Sequence, residues 1–205
     1  MTDRANPHLL NEPSERADYA GLVRAAAAGS REAMEQLLMR AQEVAFRFSL
    51  LVCGHADDAE DVMQDALLKT YRYVDRIRDP DAFRTWLYRT VRNACLMKRR
   101  RRVGEPAALV SLEQGGVADS GEPTAIDVVD SAKGPDDLAI NDWIGERLRN
   151  ALMRLTPSLR VVVVLREMEG LSTREVAEIT GISEANVKTR LHRARVLLRQ
   201  QLEDL

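Results

Sequence analysis

Lys188, Arg190, Arg193, Arg195 and Arg199 stand between Val187, Leu191, Ala194 and Leu198, apolar residues that recur at spacings of three and four. Side chains interleaved in this way put a cationic face on a helix whose other face is buried, and such a face binds phosphates. A second set lies upstream. Arg84, Arg89, Arg92 and the run Lys98–Arg102 are interleaved with Trp86 and Tyr88. Cations track a phosphate backbone and aromatic rings stack on unpaired bases, so this mixture suits melted or single-stranded DNA. It equally suits a helix whose aromatics fill a core and whose basic end complements the helix dipole. A third set is acidic: Asp58, Asp61 and Asp65 recur at spacings of three and four, with Gln64 adjacent. That ridge reads as a solvated surface or as a docking face for a basic partner helix. Periodicity does not choose between the two.

Covalent chemistry has no comparable signature. The chain carries no paired catalytic carboxylates and no nucleophile with its base, and its N-terminal half no glycine-rich phosphate loop, which argues against an enzyme and against a cofactor. Cys53 and Cys95 are far apart and flanked by apolar residues, and His55 adds only one more potential ligand. No metal site is expected. The two cysteines read as buried or incidental thiols in a reducing compartment.

Helices must position all three sets. Residues 1–18, with Pro7 and Pro13, read as a mobile leader. A helix from Tyr19 stops at Gly29, and Ser30 caps a longer one whose Met34, Leu37, Leu38, Ala41, Val44, Ala45 and Phe48 share a side. Asp57 or Asp58 starts the acidic helix, with Val62, Ala66, Leu67, Tyr71 and Val74 as its buried stripe. Asp79-Pro80-Asp81 makes a turn and a cap before the basic helix, where Phe83, Leu87, Val91 and Ala94 face inward. From about Leu138 helices resume, with Leu138, Ile144, Leu148, Ala151, Leu152 and Leu155 as the apolar set. Thr156 caps the next, Pro157 takes its first position, and the valine run Val161–Val164 is read as a buried helix. Then comes Leu171–Leu202, in which Ser172 or Thr173 can cap the first helix, with Glu175 placed to close a capping box with Ser172, Gly181 breaks the pattern and Ser183 can cap the cationic helix. A glycine-turned helix pair of this kind fits a helix-turn-helix that enters a major groove, or an ordinary helical hairpin.

Net charge is −2 over 205 residues, but it is unevenly placed. Residues 1–102 hold 18 basic and 15 acidic side chains, residues 103–142 hold one and nine, and residues 143–205 hold 11 and eight. An acidic middle therefore masks two mildly basic ends. Residues 103–137 are punctuated by glycine and proline and read as a flexible linker whose length lets the ends move independently. The fold class expected is all-α: two small helical domains, 19–102 and 138–205, the second containing the helix-turn-helix. No signal peptide or membrane span is legible, so a cytoplasmic protein is expected.

Taken in order, DAEDVMQDALLKTY, FRTWLYRTVRNACLMKRRRR, LTPSLRVVVVLREMEGLSTREVAEITGIS and VKTRLHRAR resemble the bacterial sigma factors, in the short two-domain form of the extracytoplasmic-function (ECF) subfamily. The resemblance covers both proposed domains. It implies that the acidic helix docks on the clamp coiled coil of the RNA polymerase β′ subunit, with Asp61, Gln64 and Asp65 at the matching positions and the β subunit as a further partner. It implies that Arg84, Trp86, Arg89, Arg92 and Asn93 engage the promoter −10 element and its melted strand. Glu184, Ala185 and Lys188 then lie near base edges of the −35 element, while Arg190, Arg193 and Arg195 hold phosphates. The acidic linker would occupy a polymerase channel, and an anti-sigma factor is the expected regulator. One departure stands out: many relatives carry an acidic residue a turn after the asparagine, where this chain reads Ala94-Cys95-Leu96-Met97-Lys98. The resemblance therefore does not extend to the −10 sequence preference. A stand-alone repressor is the alternative, but such proteins usually dimerise across two half-sites, and no dimerisation helix is legible after Leu202.

Overall fold

The computed structural model describes residues 13–103 and 145–203. Within them every regular element is helical, as the apolar spacings predict. The N-terminal part is α1 (Pro13–Ala27), α2 (Arg31–Cys53), α3 (Ala56–Tyr73) and α4 (Phe83–Val103). The C-terminal part is α5 (Glu146–Arg154), α6 (Pro157–Val163), α7 (Thr173–Thr180) and α8 (Glu184–Glu203). A π-helical turn, Val164–Met168, extends α6.

Local chemistry sets most boundaries. Ser30 accepts a hydrogen bond from the Ala33 amide at 3.2 Å, and Gly54 ends α2 in the left-handed region at φ 88°. Asp79 accepts from the Asp81 amide at 3.1 Å, in the 3-10 turn Pro80–Ala82 that launches α4. The capping box closes in both directions: the Glu175 amide donates to Ser172 Oγ and the Ser172 amide donates to the Glu175 carboxylate. Gly181 follows at φ 71°, the one backbone conformation at this corner that favours glycine. Ser183 Oγ then accepts from the Asn186 amide at 3.3 Å to start α8.

Several expectations are corrected. The leader does not extend to residue 18, because α1 already begins at Pro13, and Val103, read as the first linker residue, ends α4; residues 1–12, the rest of the 103–137 linker and residues 138–144, with Leu138 and Ile144 of the expected apolar set, lie outside the described residues. His55, not Asp57 or Asp58, occupies the cap position of α3. Thr156 sits at the α6 cap, but its hydroxyl pairs with Ser158 rather than with a backbone amide. Tyr71 belongs to the outer face of α3 and is 62% exposed, and Leu148 also stands at the surface. Cys53 and Cys95 are not free thiols. They form a disulfide that ties the end of α2 to the middle of α4, with Cα atoms 4.9 Å apart.

The core begins where α1 and α2 pack on α4. Phe83, Leu87, Tyr88 and Val91 line one side of α4 against Leu37, Phe48 and Leu51 of α2, and Val62 and Ala66 of α3 complete the layer. Phe48 and Tyr88 meet edge to face, with centroids 5.0 Å apart. The second core gathers Leu152, Leu155 and the valine run against Val176, Ile179, Val187 and Leu191. The two cores are continuous: α2 contacts α5 and α6, and α4 contacts α7. Ends expected to move independently are packed together here.

Candidate nucleic-acid interface

The cationic face of α8 is built as its spacing predicts. Val187 and Ala194 are fully buried and Leu191 nearly so, which turns the intervening positions outward. Glu184, Ala185 and Lys188 are exposed on the first turns, and Arg193 and Arg195 are exposed further along. Arg195 is held by Glu167, Nη2 to Oε1 at 2.6 Å. Arg190 is half-buried and faces α4.

On α4 the aromatic and basic residues part company. Tyr88 is buried, so the core reading holds for it. Its hydroxyl is pushed well above the usual phenol range by burial and then by the Glu169 charge. Trp86 is half-buried, 5.8 Å centroid to centroid from Phe83, and its ring borders a surface groove of about 390 Å³ with Arg89 and Thr85. Asn93 and Met97 border a second groove, of about 440 Å³, with Asp65 and Lys69 of α3. Arg89 and Asn93 are exposed, the latter accepting from Arg92 Nη1 at 3.1 Å. Arg84 is only 8% exposed. Its guanidinium donates to the Glu169 carbonyl oxygen at 3.1 Å and lies 4.0 Å from the Glu169 carboxylate. Arg92 donates to the Ile179 carbonyl of α7 at 3.5 Å. Burial and then the like charge of Arg190 lower its pKa. The five α4 residues therefore do not form one open surface: Arg89, Trp86 and Asn93 are accessible, and Arg84 and Arg92 are engaged by the C-terminal helices.

The acidic ridge of α3 also divides. Asp58 is buried and lies 3.9 Å from Lys98 of α4, and Asp61 pairs with the same ammonium while staying largely exposed. Gln64 and Asp65 are fully on the outer surface, beside exposed Leu68 and Tyr71. Leu68 and Tyr71 add an apolar side chain and an aromatic ring to that exposed surface. Among the described residues no three His, Cys, Asp or Glu side chains gather to hold a metal ion, and no helix is long and apolar enough to cross a membrane.

The residue that sequence reasoning missed is Glu169, 3% exposed between the two halves. Its carboxylate accepts from Arg47 of α2 (Nε at 3.5 Å, Nη2 at 3.4 Å) and from the Tyr88 hydroxyl at 2.5 Å. Burial alone would lower the Arg47 pKa, but the facing Glu169 carboxylate and its hydrogen bond more than offset that, and the net shift is upward.

Known proteins share this arrangement. The family model for Sigma-70 region 2 matches residues 34–104, and that for Sigma-70, region 4 matches residues 145–198. The chain is 35% identical to the ECF RNA polymerase sigma factor SigM of Mycobacterium tuberculosis over 190 residues, which is 92% of this chain and 86% of that protein. It is 28% identical to the ECF RNA polymerase sigma factor SigW of Bacillus subtilis, across 86% of this chain and 92% of the relative. Among solved structures, CnrH in complex with the cytosolic domain of CnrY aligns with a TM-score of 0.60 at 27% identity, covering 91% of this chain and 98% of CnrH. Both regions match in order and one relative exceeds 30% identity over nearly the whole length, so the chain belongs to the ECF subfamily of the sigma-70 family of RNA polymerase sigma factors.

Proposed function

We propose that this sigma factor binds core RNA polymerase in the cytoplasm through the outer face of α3, with Asp61, Gln64 and Asp65 as the polar contacts. It brings α4 to the −10 element and α8 to the −35 element. The observation that carries the reading is the start of α8. Capped by Ser183 after a glycine turn, it presents Glu184, Ala185 and Lys188 outward while Val187 anchors the helix. A helix held by its buried face with three side chains projecting from its first turns is what a major groove admits. Arg193 and Arg195, further along the same helix, supply phosphate contacts that set register. Trp86, Arg89 and Asn93 supply the exposed part of a single-strand surface on α4, and Arg84 and Arg92 complete it when released.

No residue breaks or forms a bond in this reading. The protein lends sequence specificity to an enzyme that it binds, and each DNA-contacting end is too small to hold a promoter alone. Attachment of both to polymerase makes their binding bivalent. CnrH is bound by the cytosolic domain of CnrY, and a separate anti-sigma protein is the matching regulator proposed here.

Run-off transcription with purified core polymerase on an ECF-type promoter tests the function. Transcripts should depend on added protein, and Asp65→Lys should abolish co-elution with core enzyme on gel filtration. Failure of the unaltered chain to form holoenzyme would sink the proposal. Tight binding to a palindromic operator without polymerase would favour a stand-alone regulator. For the regulator, the product of a neighbouring gene should co-purify with the chain and silence run-off transcription; equal activity with and without it would exclude that control.

A further inference from the structure

We infer that Glu169 is a latch: it closes the C-terminal domain over α4, so that the chain by itself hides part of the surface it uses on promoter DNA. The α4 role rests on the function proposed above; the closure does not.

One side chain joins three. Glu169 follows the π-helical turn, its own amide donating to the Val164 carbonyl at 3.0 Å, so the added residue of that turn sets where its carboxylate emerges. From there it reaches Arg47 on α2 and both Arg84 and Tyr88 on α4, residues 81 to 122 positions away in the chain. Its carbonyl oxygen is used as well, by Arg84. A carboxylate this buried is tolerable only when paired and hydrogen-bonded, and here it is both.

Other charges brought together by closure do not favour it. Arg92 of α4 faces Arg190 of α8, and Arg160 of α6 faces Arg99 of α4. Both pairs are like-charged, and burial with that repulsion holds both Arg92 and Arg160 below the ordinary arginine pKa. Cations therefore meet cations at these two places, and the buried charge attraction that opposes opening is the one Glu169 makes with Arg47 and Arg84. An interface of this composition is suited to opening. Water regained by the separated charges offsets much of the Coulomb energy lost, and a polyanion competes for the same cations.

The closed form covers what the open form would use. Arg84 is pinned by Glu169, and Arg92 reaches the last turn of α7. Glu178 of α7 borders the groove that holds Trp86 and Arg89, where a carboxylate repels an entering phosphate. Arg84 and Arg92 cannot hold their present partners and a DNA strand together. Engagement of α4 must therefore be coupled to separation of the domains, and whatever favours one favours the other.

The test uses the full chain without polymerase. Small-angle scattering reports closure, and fluorescence anisotropy reports affinity for a single-stranded oligonucleotide carrying a −10 sequence. Glu169→Gln keeps the size of the side chain and removes its charge. The variant should expand and should bind the oligonucleotide at least about tenfold more tightly, the gain expected when a poorly populated competent state becomes dominant. Glu43→Gln, which removes the partner of Arg47 within its own helix, should change neither readout. The unaltered chain provides a second measurement that is independent of any variant's folding: saturating oligonucleotide should expand it. An unaltered chain already extended overturns the inference, as does a Glu169→Gln chain that stays compact or that expands without gaining affinity. Expansion and tighter binding in a chain that never forms holoenzyme would remove the promoter function and leave the latch in place.

Discussion

Reducing the Cys53–Cys95 bond should destabilise the N-terminal domain by about 4 kcal/mol, the value expected for loss of a cross-link that closes a loop of this length. The two cysteines are 42 positions apart, and the loop between them contains all of α3 and the start of α4. In the unfolded chain the bond forbids most of the conformations that loop would otherwise explore. In the folded chain it costs little, because α2 and α4 already pack side by side around buried Cys95. Against a typical domain stability of about 5–15 kcal/mol, that is a large share. The assay is urea unfolding followed by circular dichroism, with and without a phosphine reductant. For a denaturant slope of about 2 kcal/mol/M, the midpoint should fall by roughly 2 M on reduction. Cys53→Ser should reproduce the reduced midpoint and should not move further when reductant is added. Alkylation of the denatured, unreduced chain should find no free thiol. Two free thiols, or one midpoint under both conditions, would refute the reasoning.

Three further outcomes follow from the same geometry. Arg160 is buried, its Nε has no hydrogen-bond partner, and burial with the nearby Arg99 lowers its pKa to about 10. A lowered cation pKa means that folding penalises the charged form: the penalty is complete below about pH 10 and fades as pH rises from there toward the unfolded value. Arg160→Met should therefore raise stability by about 3 kcal/mol at neutral pH in thermal or urea unfolding, with the gap narrowing above pH 10. Gly181→Ala forces a side chain into the left-handed region at φ 71° and should cost about 1–2 kcal/mol in unfolding measurements, although nothing crowds the new methyl group. In reconstituted holoenzyme, Lys188→Ala should relax −35 sequence discrimination, whereas Arg193→Ala should weaken all promoters alike and reduce the salt dependence of binding by about one phosphate contact.

Much of the fold is legible because helical periodicity and caps are local. Ser30, Ser172 with Glu175, Gly181 and Ser183 each act through a backbone amide or φ angle within three residues, and each does what its position implies. The same locality explains the misreadings. Thr156 lies where a cap belongs, yet its hydroxyl has a nearer partner in Ser158. Tyr71 is nine residues from Val62, half a revolution round the helix, so it points away from the buried stripe of Val62, Ala66 and Thr70 and stands at the surface. The cationic face of α8 and the outer carboxylate of α3 could be read for the reason that the caps could: the apolar residues recurring among them at spacings of three and four take the inward face and leave the charges the outward one.

The sequence by itself determined the helices, the order of the acidic, aromatic-basic and helix-turn-helix segments, and through that order the family. Tertiary structure alone decided which of those charges are free. Nothing near Glu169 in the chain announces that Arg47, Arg84 and Tyr88 converge on it, since the pairs arise only when the C-terminal helices close on α2 and α4. Cys53 and Cys95 are silent for the same reason, becoming neighbours through the packing of α2 on α4. Spacing specifies which face of a helix is buried. Which residue from elsewhere meets that face is set by long-range packing, and with it the choice between a cation that binds DNA and one that holds the protein shut.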